Sequence, residues 1–197
     1  MSEESTESSK STAITGALLA IVDQHGLDRV SVREVAAHAG VSIGTVQHYF
    51  PTKDAMLAAA YDEVVRRLRT RLDSVKIGGD VRKNLTLVLR ELLPLDKRRV
   101  AETRIHLAFA ARAATDPTLA STQQAALAEI HVALTDAFVR AWGTRTPKDT
   151  AELAAHVAIA IADGLALHAV SSGRWLTRRT QSEALGLGIN AVLAVGE

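Results

Sequence analysis

The chain contains no cysteine. Disulfides, thiolate metal centres and cysteine nucleophiles are therefore excluded, and the composition suits a reducing compartment such as the cytoplasm. Aromatic residues are scarce at 4%, so the 47% apolar content is mostly Ala, Leu, Val and Ile. Ala and Leu lose little rotamer freedom in a helix, which leans such a chain toward helices. No long apolar run is free of charge. The most apolar segment, Leu153 to Val170, is broken by His156, Asp163 and His168, and it reads as a buried helix with no membrane span. There is no large excess of either charge: the net value is +1. A basic excess is the usual sign of a nucleic-acid binder, so the total argues slightly against one. Locally, Arg29, Arg33 and Lys53 outweigh Glu34 to leave +2, which a dimer would double on one face. The sequence also lacks H-E-x-x-H, a P-loop and G-x-S-x-G, so enzyme chemistry is not expected, and neither a cofactor nor a metal is implied.

Residues 1–12 are rich in Ser, Thr and Glu and read as a disordered tail, not a signal peptide. From residue 13 the pattern is all-α, with nine helices and no alternating strand pattern. Ile14, Ala17, Leu18, Ile21 and Val22 fall on one face of a first helix, which Gly26 ends. Ser31 and Glu34 have capping-box spacing and open a short second helix, ended by Gly40. Ser42 caps a third, which Pro51 stops, and Thr52 caps a long fourth ended by Gly78 and Gly79. The fifth runs to Pro94 and the sixth from Lys97 to Ala114. Asp116 and Pro117 open the seventh, Thr146, Pro147 and Asp149 the eighth, which ends near Gly173, and a second capping box, Thr180 and Glu183, the ninth. A head over 13–56 and a helical body over 57–197 are expected.

The informative segment is Ser31 to Lys53, SVREVAAHAGVSIGTVQHYFPTK. Two short helices flank the turn Ala39-Gly40-Val41-Ser42, where Gly40 can supply a positive φ. Val35, Ala36, Val41 and Val46 would join the helices, leaving Thr45, Gln47, His48 and Tyr49 on a polar face able to meet a base edge. This is the pattern of a helix-turn-helix whose second helix enters the major groove. A plain helical hairpin satisfies the shorter A-x-x-x-G-V-S string equally well, and a ligand-sequestering bundle would also be all-helical. The polar face and Lys53 favour DNA.

From Ile14 to about Tyr61 the chain closely resembles the DNA-binding domain of the TetR (tetracycline repressor-like) family. The resemblance rests on Ser31-Val32-Arg33-Glu34-Val35-Ala36, Gly40-Val41-Ser42, Gly44-Thr45-Val46, Tyr49-Phe50 and Lys53-Asp54-Ala55-Met56-Leu57. It implies a homodimeric, cytoplasmic repressor of a palindromic operator, released by a small-molecule effector. By position it implies DNA contacts from Ser31, Arg33, Ser42, Ile43, Thr45, Gln47, His48, Tyr49 and Lys53. Gln47 stands where many members have Tyr, and Gln can bond adenine in a bidentate way.

Glu102 to Phe109, with Asp116-Pro117, is similar to the BetI-like branch of that family, although His106 stands where Trp is common. His106, Phe109, Phe138 and Asp163 are the candidate ligand residues. Each also has a structural reading, a satisfied histidine or ordinary core packing. Asp163 lies among apolar neighbours and needs a partner. Leu153, Val157, Ile161, Leu165, Leu185, Ile189 and Val192 are more apolar surface than one monomer face buries, which points to dimerisation through the last two helices.

Overall fold

A computed structural model describes residues 3–26, 29–143, 147–172 and 175–196. Among these residues lie nine helices and no strand: α1 (Glu3–His25), α2 (Val32–Ala39), α3 (Ile43–Tyr49), α4 (Lys53–Asp73), α5 (Val81–Arg90), α6 (Lys97–Ala113), α7 (Pro117–Trp142), α8 (Lys148–Ser171) and α9 (Arg178–Leu193). The expected start of the eighth helix at Thr146 and its stop at Gly173 fall outside the described residues.

Short polar side chains ahead of apolar runs act as caps, because the first amides of a helix have no partner within it. Ser31, Ser42 and Thr52 accept the amide of the third following residue at 3.2, 3.0 and 3.0 Å. Asp80 and Asp96 do the same for α5 and α6.

Some boundaries depart from the sequence reading. Residues 3–12 are helical, not a disordered tail, since α1 begins at Glu3. Ile14, Leu18, Ile21 and Val22 anchor that helix in the core, and extending a formed helix adds one hydrogen bond per residue. α4 stops at Asp73, before Gly78 and Gly79, with the Ser74 amide donating to the carbonyls of Arg71 and Leu72. Asn84 then bonds both the amide and the carbonyl of Gly78, so the glycine pair shapes the following loop. α9 is capped by Thr177, which accepts the Thr180 amide at 3.1 Å, while Glu183 pairs with Arg179.

The core has two lobes. Helices α1 to α4 together with α6 bury Ile14, Leu18, Val22, Val35, Val46 and Ile105. The second lobe joins α5, α7, α8 and α9 around Leu85, Leu134, Phe138, Ala158, Leu185 and Ile189. Packing does not break at residue 56, because Tyr61 and Val64 of α4 and Phe109 of α6 belong to the first lobe. α6 packs on α1 and α4 and also on α7 and α8, linking head to body.

By length and apolar composition alone, α8 could cross a bilayer. Instead it buries an alanine face, Ala151, Ala154, Ala155, Ala158 and Ala162, in the second lobe. Leu153, Val157 and Leu167 remain exposed on its other side, as do Leu187 and Val195 at α9. The expected dimer residues Leu185, Ile189 and Val192 are buried within the monomer, at 0%, 0% and 8% exposure. The α9 helix turns them toward α5 and α8, so the exposed stripe is a narrower set than the sequence suggested.

Gly40 ends α2 at φ 66°, ψ 31°, and its amide reaches back to the Ala36 and Ala37 carbonyls. A side chain there is strained even though the space is open, because the left-handed region costs an L-residue roughly 1–2 kcal/mol. Gly44, inside α3, has no such need; an added Cβ meets only Ser42 Oγ at 3.7 Å. Urea denaturation should find Gly40→Ala destabilised by roughly 1–2 kcal/mol. Gly44→Ala should be stabilised by about 0.5–1 kcal/mol. Equal effects at both positions would contradict this account of the turn.

Candidate DNA-binding face and ligand cavity

The turn at Gly40 places α2 and α3 at a fixed angle, held by Val35, Ala36 and Val46, which are 0%, 3% and 0% exposed. What remains outward is polar. Arg33, Gln47, His48 and Lys53 are exposed, and Thr45 and Tyr49 are half-buried. Among the described residues Gln47 has no internal hydrogen-bond partner, so its amide is free to bond a base. Ser31 and Ser42 are exposed but occupied, each capping the helix that follows it. Thr45 Oγ1 also pairs with Ser42 Oγ at 2.8 Å. Ile43, at 44% exposure, offers an apolar contact at the start of α3. The Tyr49 ring leans on His48, with centroids 5.4 Å apart, and packs against the head core. All nine residues expected to meet DNA thus lie on the α2–α3 face or at the start of α4.

Lys53 opens α4, where a cation beside free amides favours an anion such as phosphate. Its neighbour Asp54 receives a bidentate ion pair from Arg112, near the end of α6, at 3.0 and 2.5 Å. The Arg112 guanidinium holds the Asp54 carboxyl below the usual carboxylate range. The contact spans 58 positions of sequence, so spacing gave no sign of it.

Between α4, α6, α7 and α8 lies a cavity of about 80 Å³. His106 and Asp163 both line it, with Tyr61, Glu102, Arg71 and Arg99. Phe109 and Phe138 do not; both are fully buried. Phe109 stacks on Tyr61 at 4.0 Å between centroids, and Phe138 packs on Trp142 in the second lobe. Burial raises the Asp163 carboxyl above its usual range, with His106 and His131 pulling the other way. Burial likewise pushes the Tyr61 hydroxyl up to about 12, assisted by Asp163 and Asp62. His131 sits 4.4 Å from His156 between ring centroids, and its Nδ1 lies 3.0 Å from the Leu127 carbonyl. Among the described residues no group of three His, Asp or Glu side chains forms a metal-binding cluster.

The sequence reading missed Glu102 as a site residue. It is 3% exposed and gathers Arg71 at 2.8 Å, Arg98 at 3.3 Å and Arg67 at 3.6 Å. Arg71 and Arg99 in turn both reach Glu91 at 3.2 Å. The Arg98–Glu102 spacing of four was the one local signal; the α4 partners come from another helix.

Residues 14–60 match the model for bacterial regulatory proteins of the tetR family. Residues 81–194 match the BetI-type transcriptional repressor C-terminal domain. The chain belongs to the TetR family of transcriptional regulators. Over 165 residues the regulator is 28% identical to the HTH-type transcriptional regulator BetI of Cronobacter sakazakii, a match spanning 80% of this chain and 78% of that one. A transcriptional regulator from Rhodococcus sp. Rha1 has the same fold, with a TM-score of 0.84 and 39% identity over 94% of this chain and 96% of that one. A transcriptional regulator from Saccharomonospora viridis, solved in complex with choline, shares the fold at a TM-score of 0.81 and 19% identity, over 93% and 96% of the two chains. The regulator is therefore a DNA-binding protein, not an enzyme.

Proposed function

We propose that the regulator is a repressor that binds a palindromic operator as a homodimer in the bacterial cytoplasm and is released when a small molecule fills the α4–α8 cavity. The observation that carries this reading is the double role of α6. Its Ile105 and Phe109 belong to the head core, while its Glu102, Thr103 and His106 line the cavity. An effector that binds better to one placement of α6 shifts the population toward that placement and moves the head with it. Arg112, bonded to Asp54 beside Lys53, ties the end of the same helix to the DNA face. The exposed apolar residues of α8 and α9 supply a self-complementary surface for a two-fold dimer.

Within the head, Gln47 reads a base, while Arg33 and Lys53 hold the phosphate backbone. Gln47→Ala should weaken the true operator by roughly 1–3 kcal/mol and relax preference at one position per half-site. Lys53→Ala should weaken all duplexes about equally and reduce the salt slope by roughly one unit per half-site. Fluorescence anisotropy on operator and scrambled duplexes across a salt series tests both. A Gln47→Ala loss shared by both duplexes, or a change of base preference in Lys53→Ala, would reverse the assigned roles.

A further inference from the structure

The cavity contains hydrogen-bond acceptors that its own lining leaves unmet. Glu102 Oε1 is buried and receives no hydrogen bond, although cationic groups stand 3.3 and 3.6 Å away. Asp163, on α8, accepts no hydrogen bond from any described residue. The imidazoles of His106 and His131 act on it through space only. Glu102 and His106 lie one helical turn apart on α6 and border the same cavity as Asp163. Glu102 Oε1 is buried without a donor, which is costly, and the half-buried Asp163 carboxylate lacks one too, so the site favours a guest that brings donors.

Other ligand classes fit the lining less well. The cationic side chains at the rim, Arg71 and Arg99, are both paired with Glu91, and Arg71 also with Glu102, so an anion would have to compete with those carboxylates for them, although Arg71 Nε itself carries no hydrogen bond. A quaternary ammonium is recognised by open aromatic faces. Here Tyr61 is 2% exposed, with its ring stacked on Phe109. Among the described residues, Tyr49 and Phe50 sit in the head, Phe138 and Trp142 pack in the other lobe, and Trp175 precedes α9. The cavity, about 80 Å³ and partly open, has room for a compact guest of a few heavy atoms.

Taking the cavity as the effector site of the preceding section, we propose that it binds a small primary or secondary ammonium ion through N–H donation to Asp163 and Glu102, and that it rejects quaternary ammonium ions. Each N–H···O bond to a carboxylate is charge-assisted, which makes it stronger than a neutral one. A quaternary nitrogen of the same charge has no N–H and leaves both acceptors unpaired, and sites built for hydrogen bonding discriminate strongly against guests that lack the donor.

The test is calorimetry on the full-length protein at neutral pH, with propylamine, 1,3-diaminopropane, tetramethylammonium and choline as probes. The amines with N–H donors should bind at least about tenfold more tightly than either quaternary ion. Asp163→Asn, nearly isosteric, should lose amine binding, while Asp149→Asn on the exposed start of α8 should keep it. The proposal is overturned if a quaternary ion binds as well as the amines. It is equally overturned if no amine binds at millimolar concentration, or if a folded Asp163→Asn binds them like wild type. Should that variant not fold, the preference measured on the wild type decides alone. Operator release is measured separately. Amine binding that leaves operator affinity unchanged would keep this site and remove the switch; operator release by another compound, without amine binding, would do the reverse.

Discussion

Replacing both Val157 and Leu187 by Asp should yield a folded monomer that holds its operator far less tightly. Val157 and Leu187 are 48% and 73% exposed in the monomer, and Leu153 beside them is 65% exposed. Burying one such side chain fully contributes about 1.5–3 kcal/mol, and in a two-fold interface each residue counts twice. The carboxylates would also have to be desolvated near their own symmetry mates, which is strongly unfavourable. With each half-site bound separately, apparent affinity should fall by roughly 10²–10⁴, the usual gain from linking two binding events. Sedimentation velocity reads the assembly and anisotropy reads the operator. A dimer that survives both substitutions would show that α8 and α9 do not form the interface. The same change at Leu185 or Ile189 should unfold the chain instead, since both are fully buried in the second lobe.

Glu102→Ala should cost roughly 3 kcal/mol of stability or more. The carboxylate side chain is 4% exposed and is the shared partner of Arg67, Arg71 and Arg98. Removing it takes the shared carboxylate from three guanidiniums; Arg67 keeps Glu63 and Arg71 keeps Glu91, while Arg98 loses its partner and Arg71 Nε already lacks a hydrogen bond. The partners range from 20% to 64% exposed, so water recovers part of the loss and the lower end of the usual range applies. Glu102→Gln should lose less, because one oxygen can still accept from Arg71. Urea denaturation compares the two variants. A Glu102→Ala change within about 0.5 kcal/mol of wild type, the level of an ordinary surface substitution, would mean the buried cluster is energetically neutral.

The helix-turn-helix was legible because its signals are local. A cap and a left-handed turn each lie within a few residues, as with Ser31 and Glu34, Gly40, and Ser42 and Thr45. His106 and Asp163 were legible as polar residues in apolar helices, and both border the cavity. Phe109 and Phe138 carried the same kind of signal, and both are fully buried and outside the cavity lining. Aromatic identity marks a demand for burial but not which side of a helix faces an empty space. The ninth helix shows a related ambiguity. Thr180 and Glu183 have the spacing of a capping box, yet Thr177 stands one turn earlier and takes the cap.

Sequence alone determined the all-helical architecture, the order of the elements and the polar face offered to DNA. These follow from periodicity, caps and turns, which act over the length of one helix turn. Tertiary structure decided what depends on distant partners. It put α6 in the head core and on the cavity wall at once, and joined Arg112 to Asp54. It gathered arginines from two helices on Glu102, and turned Leu185 and Ile189 inward while leaving Leu187 outside. An apolar or charged side chain states that it needs burial or a partner; only the crossing of helices far apart in the chain chooses which neighbour supplies it.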